Sequence, residues 1–202
     1  MRAPTPSAKT RTFDTPLSPS ARPVRHLLVF CGARSGHDPQ HAALARAVGA
    51  LLAARRVRLI WGGGALGLMG ALGRSAIEAG GAATGIIPRF LSAREVAEPR
   101  CTDLRLVETL HARKAAMFEA ADAVLALPGG LGTLDELVEI LAWRNLGLHA
   151  RPIWLLGGGG FWAPFRALLA HLIREGFAAP DVLDQLAELP SLDALAALLP
   201  AA

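Results

Sequence analysis

Short apolar runs alternate with longer amphipathic segments along most of this chain. The apolar runs have the length and composition of buried strands, and they cover residues 26–30, 57–61, 123–127 and 152–156. Segments with helical periodicity follow, and we expect helices from about Pro39, through 75–79, and over 110–121, 137–143, 162–175 and 192–199. This alternation predicts an α/β fold, a Rossmann-like doubly wound parallel sheet in a single domain.

Three of the predicted strands run directly into a glycine-containing turn. The turns cover residues 31–36, 62–70 and 128–132. Because parallel strands end at the same edge of a sheet, where such folds bind ligands, we expect the three turns to lie together. Gly62, Gly64 and Gly67 also match the spacing of the dinucleotide-binding fingerprint. No acidic residue closes a following strand, so this match alone is a weak signal.

The turn after the third strand, Pro128-Gly129-Gly130-Leu131-Gly132-Thr133-Leu134-Asp135-Glu136, has the features of an anion site. Glycines let backbone N–H groups approach a ligand closely, and the first helical turn leaves N–H donors unpaired. The helix dipole adds to the attraction for a phosphate. We expect Thr133 to be the N-cap, with Glu136 one turn further into the helix. A carboxylate beside a phosphate site repels it, so Glu136 is better suited to another part of a phosphorylated ligand.

Simpler interpretations of these residues remain open at this stage. Thr133 and Glu136 have the spacing of a capping box, in which Glu136 bonds back to the helix start and binds no ligand. A tight turn without ligand explains three glycines and a proline less well. Arg113, Lys114 and Glu119 on the predicted helix 110–121 are, by themselves, typical of a solvated helix face.

The segment from Pro128 to Glu136 matches the PGGxGTxxE motif of the LOG ("Lonely Guy") family, the cytokinin riboside 5′-monophosphate phosphoribohydrolases. Members of this family were often mislabelled lysine decarboxylases. The chain resembles the family over roughly residues 25 to 190, because several further motifs agree in order and spacing. These motifs are residues 30–32, 62–64, 67–70, 85–88, 111–117, Trp143 and 146–149.

The resemblance implies hydrolysis of the N-glycosidic bond of a nucleoside 5′-monophosphate without a cofactor. The products are a free base, such as an N6-substituted adenine, and ribose 5-phosphate. Arg113 and Glu136 fall on the catalytic positions. A carboxylate can stabilise an oxocarbenium-like sugar or activate water, and a guanidinium can clamp phosphate or support the departing base. The resemblance also implies substrate or phosphate contacts for Glu95, Lys114, Gly129, Gly130, Leu131, Gly132, Thr133, Gly32, Ser35, Gly63, Gly64 and Met69.

The chain departs from the family pattern around these positions. The first turn has Ala33 and Arg34 where the family has two serines, and Ser35 comes one place later. Ala112 replaces a Glu or Gln, and Ala142 replaces a Thr that precedes the tryptophan. Because Arg113 and Glu136 are kept, we expect activity to remain, with substrate preference and rate as the properties that change.

Composition and charge agree with a small-molecule enzyme. At 202 residues and 52% hydrophobic content, the chain can bury one sizeable core. The net charge of +4 comes mostly from arginines spread along the chain, without the dense run or aromatic platform of a nucleic-acid binder. The six histidines lack the spacing of metal ligands. We expect His111 to be able to line the site, and His26, His41 and His171 to be surface or boundary residues.

Residues 1–23 are rich in Pro, Ser, Thr and Arg, so we expect a disordered tail before a folded domain over 24–202. No apolar stretch is long enough to span a membrane. Cys31 and Cys101 lack zinc spacing, which favours a cytoplasmic location. We expect a homodimer. The alternatives to a LOG-type enzyme are a non-catalytic nucleotide or molybdenum-cofactor carrier of the same superfamily, and a broader AMP nucleosidase.

Overall fold

A computed structural model describes residues 23–92, 97–101 and 103–201 of the chain. In this part of the chain a single parallel sheet carries helices on both faces. Its seven strands are β1 His26–Phe30, β2 Arg58–Trp61, β3 Ala83–Pro88, β4 Asp103–Val107, β5 Ala123–Ala126, β6 Ile153–Leu155 and β7 Ala187–Glu188. The helices are α1 Pro39–Ala54, α2 Gly67–Glu78, α3 Arg89–Ser92, α4 Leu110–Glu119, α5 Leu131–Asn145, α6 Ala163–Arg174 and α7 Leu192–Leu198, with a 3₁₀ helix at Pro180–Gln185.

The strand order is β4-β3-β2-β1-β5-β6-β7, with every neighbouring pair parallel. The chain therefore builds outwards from β1 in one direction, and then from β5 in the other. This order confirms the predicted doubly wound, Rossmann-like sheet. The reversal between β1 and β5 opens a crevice at the carboxyl edge of the sheet, the usual ligand position in such folds.

Two apolar clusters, one on each face of the sheet, form the core. Alternate residues of β1 point to opposite faces, so that Leu27 and Val29 join the cluster beneath α1, α2 and α7. Leu28 and Phe30 join the cluster beneath α4, α5 and α6. Each large apolar side chain buried in this way contributes about 1.5–3 kcal/mol. The core thus holds β1 and β5, and the turns that follow them, in fixed positions.

The predicted strands agree with β1, β2, β5 and β6 to within one residue at each end. Ser191 caps α7 as predicted, since its side chain accepts from the N–H of Ala194. The sequence pattern does not predict β3 or β4. The first contains Thr84 and Gly85 in its buried run, and the second is an edge strand with charged, partly exposed positions, as is common for protected edges.

Among the described helices, none has the length and apolar character needed to cross a membrane. Of the predicted N-terminal tail, residues 1–22 lie outside the described part of the chain, so the tail stays a prediction.

Candidate active site

A cleft of about 880 Å³ occupies the crevice between β1 and β5. Its walls come from the turn after β1, the first turn of α2, the turn after β5 and the residues that follow β6. This arrangement brings together most of the residues that the sequence analysis singled out. Those that line the cleft are Gly32, Ser35, Met69, Arg113, Gly129, Gly130, Leu131, Gly132, Thr133 and Glu136.

The turn after β5 ends in an open helix N-terminus. Helix α5 begins at Leu131, with Gly130 as a cap that offers no side-chain bond. The first bond of the helix runs from the N–H of Leu134 to the carbonyl of Gly130, over 3.0 Å. The N–H groups of the three preceding residues therefore lack partners within the helix and point from its first turn. Such groups, at the positive end of the helix dipole, are suited to bind an anion.

The prediction that Thr133 is the N-cap is wrong, because α5 starts two residues earlier and Thr133 is buried in its first turn. The capping-box interpretation fails for the same reason. A Cβ placed on Gly129 would lie 2.1 Å from Oγ1 of Thr133, so only glycine fits at that position. Beside Gly130 and Gly132, by contrast, space is open within 4 Å. Here the backbone is accessible to a ligand.

Arg113 of α4 is buried in the floor of the cleft, and its contacts include two backbone carbonyls and the carboxylate of Glu136. Its Nε donates to the carbonyl of Ile86 over 3.0 Å, and its Nη2 donates to the carbonyl of Gly62 over 3.2 Å. Its Nη1 lies 3.7 Å from Oε1 of Glu136. The solvated-face interpretation is therefore wrong for Arg113, whose side chain is only 8% exposed. The fold places a fixed cation against the carboxylate that lines the cleft.

The turn after β2 makes room for Arg113. A Cβ placed on Gly62 would lie 2.0 Å from Nη2 of the guanidinium. Glycine is thus required here because a side chain passes close to the backbone, and contact with a phosphate is not the reason. The glycine belongs to the site through the arginine that it accommodates.

The N-terminus of α2 is already occupied by the protein itself. The N–H groups of Leu68 and Met69 both donate to the carbonyl of Gly32, over 3.0 and 3.2 Å. Gly67 has φ +55°, and a Cβ there would lie 2.4 Å from the carbonyl carbon of Ala33. The dinucleotide-like spacing of these glycines therefore reflects a packing contact between two turns.

Several predicted contact residues lie away from the cleft. Gly63 has φ +75° and packs against Gly85, while Gly64 forms an isolated antiparallel bridge with Ala97. Neither is among the residues that line the cleft. Glu95 lies outside the described residues.

Lys114 faces two carboxylates of α5 and does not line the cleft. Its Nζ lies 3.1 Å from Oδ2 of Asp135 and 2.9 Å from Oε2 of Glu139. Burial lowers the pKa of Lys114, but the bonds with Glu139 and Asp135 outweigh it and raise the pKa above its ordinary value. Lys114 thus ties α4, which carries Arg113, to the helix that carries Glu136.

The structure confirms His26 as a boundary residue and His171 as a surface residue, but the expectation that His111 could line the site is wrong. His111 is exposed and does not line the cleft, whereas His41 does, with its ring edge-on to Phe161 at 5.6 Å. The sequence analysis missed Phe161 and His37 as cleft residues as well. Phe161 follows four glycines at the carboxyl end of β6, and that position at a strand end is the signal that could have identified it.

Cys31 lies at the floor of the cleft but is not a candidate nucleophile. Burial raises the pKa of its thiol well above the usual range, the nearby carboxylate of Glu136 raises it further, and Arg113 only partly opposes them. The thiol is therefore neutral, and the neutral form is a poor nucleophile. Cys31 is therefore set aside as a candidate reactive group of the cleft, and Glu136 stays one.

Solved structures with the same fold include the molybdenum cofactor binding protein from the phototrophic bacterium Rippkaea orientalis. It is 22% identical, has a TM-score of 0.66, and the match covers 89% of this chain and 96% of that protein. The molybdenum cofactor carrier protein of Chlamydomonas reinhardtii is 19% identical, with a TM-score of 0.63 over 85% of this chain and 93% of that one. At these identities the likeness establishes the fold alone.

Sequence relatives are closer. The family described as "Possible lysine decarboxylase" matches residues 69–199. A cytokinin riboside 5′-monophosphate phosphoribohydrolase of Rhodococcoides fascians is 40% identical over 82% of this chain and 85% of its own length. The cytokinin riboside 5′-monophosphate phosphoribohydrolase LOG of Oryza sativa subsp. japonica is 40% identical over 78% of this chain and 65% of its own. The chain therefore belongs to the LOG family of phosphoribohydrolases, once described as lysine decarboxylases.

Proposed function

We propose that this protein hydrolyses the N-glycosidic bond of adenosine 5′-monophosphates, including N6-modified ones, to a free base and ribose 5-phosphate. One observation carries the proposal: an open helix N-terminus, suited to a phosphate, shares a cleft with the Arg113–Glu136 pair. The relatives named above act on nucleotides of this class according to their names. The shared cleft supports a reaction in which a phosphate is bound and the sugar is attacked in the same place.

The cleft suggests a distribution of roles. The N–H groups of Leu131, Gly132 and Thr133 hold the 5′-phosphate, so that the ribose extends towards Glu136. Breaking the bond between C1′ and the base nitrogen builds positive charge on the sugar, and the bonding electrons leave with the base. The carboxylate of Glu136 stabilises that charge or takes a proton from the water that attacks C1′. The base gains a proton as it departs, and ribose 5-phosphate remains.

Arg113 acts from beneath the reacting groups. Its Nε and Nη2 are bonded to backbone carbonyls, so the guanidinium has little freedom to move. In that position it balances the charge of Glu136 and fixes the direction of the carboxylate. This role towards Glu136 fits Arg113 better than the role of clamping the phosphate.

Product analysis tests the proposal. The purified protein is incubated with AMP and, separately, with N6-isopentenyl-AMP, and free base and ribose 5-phosphate are measured by chromatography. We expect both products to appear in equal amounts. Binding of the nucleotides without base release would reject the hydrolase and favour a carrier. A rate with AMP equal to or above that with the N6-modified nucleotide would favour a broader AMP nucleosidase.

The carrier alternative has less support. Its basis is the fold shared with molybdenum cofactor proteins, at 22% and 19% identity. A carrier needs anion donors, but it has no use for a carboxylate held against a buried arginine beside them. The relatives at 40% identity are named as hydrolases.

We also propose a homodimer. The outward face of α5 and the residues that follow it expose Val138, Leu146 and Leu148, at 48%, 71% and 70% of their surface. Apolar residues exposed together commonly mark an interface, and a second copy of the chain is its simplest occupant. Sedimentation equilibrium of the wild type and of Leu146→Glu tests this: a monomeric wild type would reject it.

A cytoplasmic location belongs to the same proposal. Both cysteines are free thiols, as expected in a reducing compartment. Fractionation of cells that express the protein would test the location.

A further inference from the structure

The cations that the family resemblance places near the substrate are already engaged within the protein. Arg113 donates to Ile86 and Gly62 and lies beside Glu136. Lys114 is paired with Asp135 and Glu139 and does not line the cleft. A nucleotide phosphate carries up to two negative charges, and backbone N–H groups supply only partial positive charge to balance them. Another cation would therefore strengthen binding considerably.

Arg34 is the cleft-lining arginine that remains available. It is exposed, and it forms no side-chain hydrogen bond or ion pair with the residues that the structure describes. An exposed arginine is often no more than a solubilising surface charge. Arg34 differs because it lies in the wall of the cleft, on the turn that faces the N-terminus of α5.

The backbone of this turn is held directly against the proposed phosphate loop. The N–H of Gly32 donates to the carbonyl of Pro128 over 3.0 Å. A Cβ placed on Gly32 would lie 3.3 Å from Cα of Gly129, so the two glycine turns are in close contact. On the other side, Gly67 packs against Ala33 and the N–H of Arg34. The backbone of Arg34 is therefore held in place two residues after Gly32, which contacts the phosphate loop. The guanidinium at the end of the side chain is exposed and can meet a ligand.

We propose that Arg34 is the principal cationic phosphate-binding residue of this protein, acting together with the N–H groups of Leu131, Gly132 and Thr133. The proposal rests on the proposed nucleotide substrate and names the residue that selects its 5′-phosphate. A guanidinium stays charged at every relevant pH and binds phosphate through two parallel N–H bonds. Arg34 thereby makes the monophosphate a better ligand than the nucleoside, while Arg113 serves the reacting carboxylate.

Calorimetric titration with AMP and with adenosine tests the proposal. The Glu136→Gln protein is used so that AMP is not consumed, and Arg34→Ala or Arg34→Lys is added to it. We expect Arg34→Ala to weaken AMP binding about 10- to 100-fold, as loss of a charge-assisted bond implies, and to leave adenosine binding unchanged. The AMP affinity of Arg34→Lys should lie between those of the parent protein and Arg34→Ala, because lysine keeps the charge but lacks the planar donor fork.

Arg46→Ala is the matched control, because it removes one exposed positive charge from α1 outside the cleft. We expect AMP affinity to stay within about twofold of the parent protein. The melting temperature of Arg34→Ala should equal that of its parent, since the side chain has no partner among the described residues.

An AMP affinity in Arg34→Ala within twofold of the parent would overturn the proposal. An equal loss for AMP and adenosine would overturn it too, because the effect would then not depend on the phosphate. Failure of the proposed function is distinguishable from both. If the wild type releases no base but Arg34→Ala weakens AMP binding, the reaction is rejected and Arg34 stands as the phosphate-binding residue of a nucleotide-binding protein.

Discussion

Two glycine turns at the same edge of the sheet look alike in sequence and differ in what they do. One joins β2 to α2 and the other joins β5 to α5, and each follows a buried strand and opens a helix. In the first, the N–H groups of Leu68 and Met69 are bonded to the carbonyl of Gly32. In the second, the N–H groups of the first helical turn belong to Leu131, Gly132 and Thr133, which line the cleft. A glycine turn becomes an anion site only when the rest of the protein leaves its donors open.

The first turn contributes to the site in another way. Gly62 accepts from Arg113 and leaves space for its guanidinium, while Gly67 allows close contact with Ala33. The glycines of this turn therefore serve packing, as Gly129 also does in the turn after β5, whereas Gly130 and Gly132 of that second turn leave open space beside the backbone. The comparison predicts that mutations in the two turns will separate folding from binding and catalysis.

The largest effect is expected at Glu136. We expect Glu136→Gln to lower kcat about 10²- to 10⁴-fold, the usual contribution of a positioned acid or base, because the amide cannot take a proton or balance positive charge on the sugar. The substitution keeps the size of the side chain, so AMP affinity should change little. Single-turnover assays and calorimetry measure the two quantities. Turnover close to the wild type would remove Glu136 from the mechanism.

The 5′-phosphate should matter nearly as much. Charge-assisted hydrogen bonds contribute about 1.5–3 kcal/mol each, so loss of two or more should lower kcat/KM by about 100-fold or more. Part of the loss should appear in kcat, because the bound phosphate also positions the ribose against Glu136. Hydrolysis of AMP is compared with that of adenosine, and isopentenyl-AMP with isopentenyladenosine. Equal efficiency within either pair would show that the turn after β5 is not a phosphate site.

Alanine substitutions compare the two turns directly. Gly67→Ala forces φ +55° on a residue with a Cβ and creates a contact of 2.4 Å with Ala33. We expect it to lower the free energy of unfolding by on the order of 2 kcal/mol or more. Gly130 has φ −99°, which alanine adopts readily, and open space beside it. The free energy of unfolding of Gly130→Ala should therefore stay within about 0.5 kcal/mol of the wild-type value. Urea unfolding measures both. Similar stabilities for the two variants would contradict the division of roles.

A smaller effect than at Gly67 is expected at Lys114, which joins the helices that carry Arg113 and Glu136. Lys114→Met removes both ion pairs, and we expect a loss of about 1 kcal/mol in stability at neutral pH. The pKa of Lys114 is raised in the folded protein, so its contribution is fully present below its ordinary value of 10.5. The contribution is lost as the pH rises through the folded-state pKa.

Urea unfolding of the wild type and Lys114→Met at pH 8 and at increasing pH above 10.5 measures this difference. The difference should shrink with increasing pH. Lys114→Arg is the control, because it retains a cation that can pair with Asp135 and Glu139. A difference that stays constant above pH 10.5, or a loss confined to AMP affinity, would argue against a structural ion-pair role.

The sequence by itself determined the local structure around the site. Buried strands and amphipathic helices have their own periods, so β1, β2, β5 and β6 could be placed to within a residue. Their alternation predicted the parallel sheet, and the edge shared by strand ends predicted that the glycine turns would meet. The family motifs depend on linear spacing, and they indicated Arg113 and Glu136 as the catalytic positions.

Only the tertiary structure decided which turn could bind a ligand, because that depends on groups far apart in sequence. The carbonyl of Gly32 fills the N-terminus of α2, and the carbonyls of Ile86 and Gly62 bury a guanidinium that looks solvated in the linear pattern. Lys114 pairs with carboxylates of another helix and does not line the cleft, whereas Arg34 lies in the cleft wall. Local periodicity encodes where helices and strands lie, whereas packing between distant segments determines which polar groups remain open to a substrate.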